Sequence, residues 1–172
     1  MCDPRLMRAA LACGAILLVA GCSRASPKID TIEIHRSGWV GYNVVVHSNG
    51  QGQFQGSPSL PEKGKRNFRV TPTQFEQLAS AIRPFMSYAR PATDTSIHDV
   101  IYGNWPRCPN PKDYTYDAGA LYLRWQGPQT NIHYLVDFGC SYERNLARNK
   151  RLLDAVHQLP IGQYIGPFDG QR

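Results

Sequence analysis

No apolar run in the 172 residues is long enough to cross a bilayer. The longest, Ala9 to Ala20, has 12 residues, where a spanning helix needs about 18 or more. There is no Gly-x-Ser-x-Gly turn to expose a nucleophilic serine and no glycine-rich loop ending in lysine to cradle phosphate, so two large enzyme classes lose their signatures. The five cysteines include no Cys-x-x-Cys pair, and the five histidines are not spaced as zinc ligands, which argues against a metal-built fold. Acidic residues are the scarcer charge, 13 against 19 Lys and Arg, for a formal net charge of +6. That balance suits an anionic partner, yet no interleaved aromatic and basic motif of the RNA-recognition kind occurs, and nucleic acid is not expected. No cofactor is implied.

What the chain does have is an address. Arg5 and Arg8 precede the short apolar stretch, which closes on Val19-Ala20-Gly21-Cys22, small residues of the kind a signal peptidase groove admits. Residues 1–21 are expected to be a signal peptide, an ordinary one being the plainer alternative. The pattern resembles the lipobox of bacterial lipoproteins. The resemblance implies lipid attachment at Cys22: a diacylglyceryl group on the thiol, then acylation of the new amino terminus by a chain such as palmitate. At about 0.8 kcal/mol per buried methylene, three chains would fix the protein to a membrane essentially permanently. Ser23, where the resemblance associates aspartate with inner-membrane retention, favours the outer membrane. Removal of the leader leaves 151 of the 172 residues and a formal charge of +5, enough for one domain with one core. Residues 22–28 read as a tether of at most roughly 20 Å, and residues 29–172 as that domain.

Cys2 and Cys13 fall in the leader, and lipid would take Cys22. The remaining even pair, Cys108 and Cys140, reads as a disulfide in an oxidising compartment, zinc being the competing use. Arg144, Arg148, Lys150 and Arg151 form the only dense basic group, and on a helix they read as a solvated face.

Alternation of apolar and polar residues predicts strands at Thr31–Arg36, Gly41–Ser48 and Gln51–Gln55, the last two joined by the hairpin signal Asn49-Gly50. A proline and glycine loop over 56–64 leads to a fourth strand at Asn67–Val70. Thr71-Pro72-Thr73-Gln74 offers a capping box with proline at the first helical position, and Phe75, Leu78, Ala79 and Ile82 follow at helical spacing. Pro84 should end or kink that helix. From Pro91 to Ala118 there is little periodicity, and a loop of that length in a small domain is functional or disordered. Ala120–Trp125 and Ile132–Phe138 read as a second hairpin, and Glu143–Leu159 as a second helix with Leu146, Leu153 and Val156 on its inner face, widened by Leu152 and Leu159. The expected fold is α+β, an antiparallel sheet with two helices packed on one face and a long loop pinned by a disulfide. Two rounds of hairpin followed by helix suggest a shape-level duplication.

In this order of elements the chain resembles small, uncharacterised bacterial lipoproteins carrying a domain of unknown function. The residues that carry the likeness are Ile32-Glu33-Ile34-His35-Arg36 and then Gly41-Tyr42-Asn43-Val44, within a span of roughly residues 29 to 160. The resemblance implies no known activity.

Two functional readings follow. The long loop holds Tyr102, Trp105, Tyr114 and Tyr116, residue types enriched at interfaces, although aromatics also serve to cover a small core. Either this loop or the open outer sheet face, where His35, His47 and His133 share a parity with Tyr122, Arg124 and Asp137, would serve an envelope binding or interaction module with an envelope protein or cell-wall partner. The alternative is a periplasmic hydrolase of cell-wall polymer using paired carboxylates among Asp94, Asp99, Asp113 and Asp117, with His98 beside Asp99. The plainer reading is that acidic residues in loops shape turns and that strand histidines are solvated.

Overall fold

The structure is a computed structural model, and it describes residues 27–38, 41–58, 60, 64–92, 108, 111–116 and 118–161. Seven strands form one antiparallel sheet: β1 (Thr31–Arg36), β2 (Tyr42–His47), β3 (Gln51–Gly56), β4 (Gly64–Arg69), β5 (Arg90–Pro91), β6 (Ala120–Gly127) and β7 (Thr130–Asp137). Their spatial order is β4-β3-β2-β1-β6-β7-β5. Helix α1 covers Pro72–Ile82, a 3-10 segment continues it over Arg83–Tyr88, and helix α2 covers Tyr142–His157.

The first four strands form a meander that local chemistry explains. Asn49-Gly50 closes the β2–β3 hairpin, with Gly50 at φ +86°, a backbone that β-carbons disfavour. Gly52 is small for a different reason: a β-carbon there would run into the Phe68 ring on the neighbouring strand, so the aromatic lies over the glycine and seals the inner face of β3–β4. Strand β1 lies inside the sheet, paired with β2 on one side and with β6 on the other. Ile32 faces Val46 and Trp125, and Ile34 faces Val44 and Leu123. These residues are buried, and with Phe75, Leu78 and Ile82 of α1 and Leu152 and Val156 of α2 they belong to one hydrophobic cluster.

Helix α1 begins as its sequence predicts. Thr71 Oγ1 accepts from the Gln74 amide at 3.2 Å and Gln74 Oε1 accepts from the Thr71 amide at 2.8 Å, so two otherwise unsatisfied donors are covered reciprocally. At the end of β1 Arg36 is buried. Its guanidinium lies 4.4 Å from the Phe138 ring centre and donates to the Ala118 carbonyl at 3.1 Å, which gives the charge a π face and an acceptor inside the fold. Tyr42 pairs with it across β1–β2. Burial pushes the Tyr42 hydroxyl up to about 12 despite the nearby cation.

Cys108 and Cys140 are bonded, with their α-carbons 5.1 Å apart. The chain on the loop side is also stitched by backbone: Tyr114 bridges Cys140, Thr115 donates to Gly139 at 2.9 Å and Ser141 donates to Asp113 at 2.8 Å.

Several expectations are corrected. Strand β4 starts at Gly64, three residues earlier than Asn67; as an edge strand it is exposed on both sides from Gly64 to Asn67 and only Phe68 turns in toward the core. A two-residue strand, β5, lies where a loop is expected, and its Pro91 fits an edge because proline has no donor for a second neighbour. The repeat of two hairpin and helix units is not present: α1 follows a four-stranded meander, whereas α2 follows one hairpin. Leu146 is 45% exposed, and the inner stripe of α2 is Asn149, Leu152, Ala155 and Val156.

Candidate binding face

Strand alternation divides the sheet into two faces. One carries Ile32, Val44, Phe54, Leu123 and Val136 and is core. The opposite, outer face carries odd-numbered residues of β1 to β4 and even-numbered residues of β6, and the pairing register lines them up in rows. One row runs Asn67, Gln53, Val45, Glu33, Arg124, His133. The rows beside it run Lys65, Gln55, Asn43, His35, Tyr122, Leu135 and Arg69, Gln51, His47, Thr31, Gln126, Asn131. The sheet thus brings the three strand histidines onto one face but places no two of them opposite each other.

This face has two zones. Over β6 and β7, Tyr122, His133 and Leu135 are buried although they point away from the core, so His133 is not the solvated residue expected from its strand position. The Tyr122 hydroxyl lies 3.3 Å from His133 Nδ1 with the rings edge to face. Arg124 pairs with Glu33 at 3.7 Å and donates to Asn131 at 3.0 Å, and Asn131 donates to the Ala92 carbonyl at 2.8 Å, holding β5 in place. Gln126, in the amide orientation that satisfies both ends, donates to Glu33 and accepts from Arg124. Burial raises the Tyr122 hydroxyl to about 12, Arg124 opposing and Glu33 adding to the shift. Such a tyrosine is a neutral hydrogen-bonding group at physiological pH.

The second zone, over β2 to β4, is open. Gln51, Gln53, Gln55, Lys65, Asn67 and Arg69 are all exposed, and a concavity of about 570 Å3 is lined by His47, Gln51, Gln53, Asn67 and Arg69 among others. His47 is held from beneath by Thr31, its Nδ1 lying 2.9 Å from the threonine hydroxyl. A second hollow adjoins it at the Asn49 turn, with Asp30 on its rim, and Asp30 is paired with Lys28 at 3.3 Å. The sequence points to the outer face and to His47 on it, but not to the amides of β3 and β4 in this zone. Its signal is the run Gln51-Gly-Gln-Phe-Gln55, in which amides alternate with a glycine and an aromatic.

Of the other candidates, Tyr114 and Tyr116 meet edge to face with ring centres 5.3 Å apart, and Tyr116 is 81% exposed. Asp113 lies 3.9 Å from the Arg144 guanidinium, an ion pair that ties the loop to α2. Cys22, Tyr102, Trp105, Asp94, Asp99, Asp117 and His98 lie outside the described residues. Among the described residues no group of three or more His, Cys, Asp and Glu side chains is placed to hold a metal ion, and no helix is long and apolar enough to cross a membrane.

Burial lowers the pKa of His35, with Asn43 opposing, that of His133, with Arg124 and Arg90 adding to the shift, and that of His157, with Asp154 opposing. A histidine whose folded pKa lies below its unfolded value of about 6.5 leaves stability complete above that pH. As pH falls below about 6.5 the unfolded chain takes up protons that the folded one refuses, so stability is lost until the folded pKa is passed. Urea midpoints measured from pH 7.5 to 5 should therefore fall toward acid, by at most about 1.4 kcal/mol per pH unit for each histidine. His133→Gln should flatten the slope.

No protein-family profile matches this chain, and no curated protein is similar to it.

Proposed function

We propose that this protein is a lipoprotein anchored through acyl chains on Cys22 to the periplasmic side of a bacterial membrane, the outer membrane by preference, and that it binds an envelope component through the outer face of its sheet. Both helices are taken to cover the apolar face, leaving the β2–β4 zone directed away from the core. The observation that carries the binding role is that open zone: six exposed, hydrogen-bonding side chains in register on two adjacent strands, beside a concavity. The concavity combines the Phe68 ring with His47, Gln53, Asn67 and Arg69, and a recess in which apolar surface meets a few convergent polar groups is the usual form of a ligand site. The Cys108–Cys140 bond supports an oxidising location, since cytosolic thiols are kept reduced. A tether of a few residues keeps the face near the membrane surface, within reach of envelope protein or wall polymer.

A photo-cross-linking side chain at Gln53 or Asn67, compared in intact cells with one at the exposed Glu76 of α1, tests the assignment. Adducts are expected from the two sheet positions and not from the helix. Equal yields from all three would remove the outer face as the binding surface.

A further inference from the structure

We infer that the ligand of the open zone is a glycan carrying carboxylate groups, held with Arg69 and Lys65 on its charges and the amides of β3 and β4 on its hydroxyls. This deepens the binding role proposed above and rests on it. The nine outward positions of β2, β3 and β4 include no acidic residue. Among the exposed six, Gln51, Gln53, Gln55 and Asn67 each present both a donor and an acceptor, whereas Lys65 and Arg69 present donors alone. Sugar hydroxyls both give and accept hydrogen bonds, so amides match them in either sense. A carboxylate accepts only, and the arginine fork meets it in a two-point contact.

The proportions separate this class from other polyanions. Amides outnumber cations two to one, which fits a chain with more hydroxyls than charges; a densely phosphorylated or sulfated polymer would bring charges that these six residues do not balance. Nucleic acid is met by stacking aromatics, and the outward positions of β2 to β4 carry no Phe, Tyr or Trp, their one ring being the imidazole of His47. A lipid surface is met by apolar side chains that insert between headgroups, and the outward residues of β3 and β4 are all polar. The geometry suits a linear chain: neighbouring strands lie about 4.8 Å apart and alternate residues along a strand about 6.7 Å apart, so the six side chains form a two-by-three grid. At about 570 Å3 the adjoining hollow is within the range of small-molecule sites and takes a short stretch of chain rather than a folded partner.

The test is fluorescence polarisation of labelled oligogalacturonate with the full chain in detergent. Binding is expected, weakened several-fold between 50 and 200 mM salt. Lys65→Gln with Arg69→Gln should weaken it at least tenfold, and Gln53→Ala with Asn67→Ala should weaken it several-fold with the charge untouched. A neutral dextran oligomer should bind at least tenfold less well. All four substituted residues are exposed, and unchanged thermal midpoints will show that the variants are folded. Unchanged affinity in the amide variant would overturn the inference, because attraction would then be charge alone. So would tighter binding of dextran sulfate than of oligogalacturonate. Absence of oligogalacturonate binding while Gln53 still yields adducts in cells would overturn the ligand class and leave the binding face standing; absence of both would remove the face as well.

Discussion

Replacing Cys108 and Cys140 with serine is expected to lower the unfolding free energy by about 3.5 kcal/mol. The bond closes a segment of sequence separation 32, and chain-entropy arguments give about 3 kcal/mol for a 15-residue loop and about 4.7 for a 100-residue one. For a domain of this size that is a drop in melting temperature of about 7 to 14 °C. The single variants and the reduced wild type should match the double variant, since each opens the same loop. The hydrogen bonds Thr115 to Gly139 and Ser141 to Asp113 remain available, so the expected change is a lower midpoint with one cooperative transition. Calorimetry with and without reductant measures it, and a reduced protein melting within 2 °C of the oxidised one would contradict the expectation.

Trp125→Ala should cost about 3 to 5 kcal/mol, the range for truncating a large aromatic in a packed core. Trp125 is fully buried in β6, one of the central strands, opposite Ile32 on β1 and Ile132 on β7. Its indole Nε1 is buried with no hydrogen-bond partner among the described residues. That asymmetry yields a second outcome at the same position. Trp125→Phe loses volume but also removes a buried donor that gains nothing in the folded state, and an unsatisfied group of this kind costs about 1 to 3 kcal/mol. The phenylalanine variant should therefore lose less than about 1.5 kcal/mol. Urea denaturation of both variants reads the difference; similar large losses would mean that indole volume alone decides stability at this site.

The elements that can be read from sequence are those whose causes are local. Alternation in Thr31–Arg36 and Gly41–Ser48, the Asn49-Gly50 reversal and the Thr71–Gln74 box each act within a few residues, and the structure contains all of them. Strand β4 was harder because Lys65, Arg66 and Asn67 lie at the rim, where neither side is buried and no period of two is imposed. Leu146 misled for the converse reason: its spacing suits an inner stripe, yet the helix presents it to solvent. The pairing of β1 with β6 joins residues some ninety positions apart, and no short-range signal encodes it. That long-range pairing is what sets Glu33 against Arg124 and joins the β6 and β7 rows to those of β1; the open zone itself lies on the β2–β4 meander, whose last strand shows no period of two in its burial. Histidines are conspicuous in a sequence because of their chemistry, while the glutamines that form the open zone are chemically plain and gain meaning from register.

The two rims of the sheet bear on how the molecule behaves among copies of itself. On one side, β4 bears Lys65, Arg66 and Arg69 along an exposed strand; on the other, β5 lasts two residues and contains Pro91. Clustered like charge repels an approaching identical strand, and a brief proline-bearing strand offers it too few donors to hold. Neither of these two described rims gives an identical strand a ready template for edge-to-edge pairing.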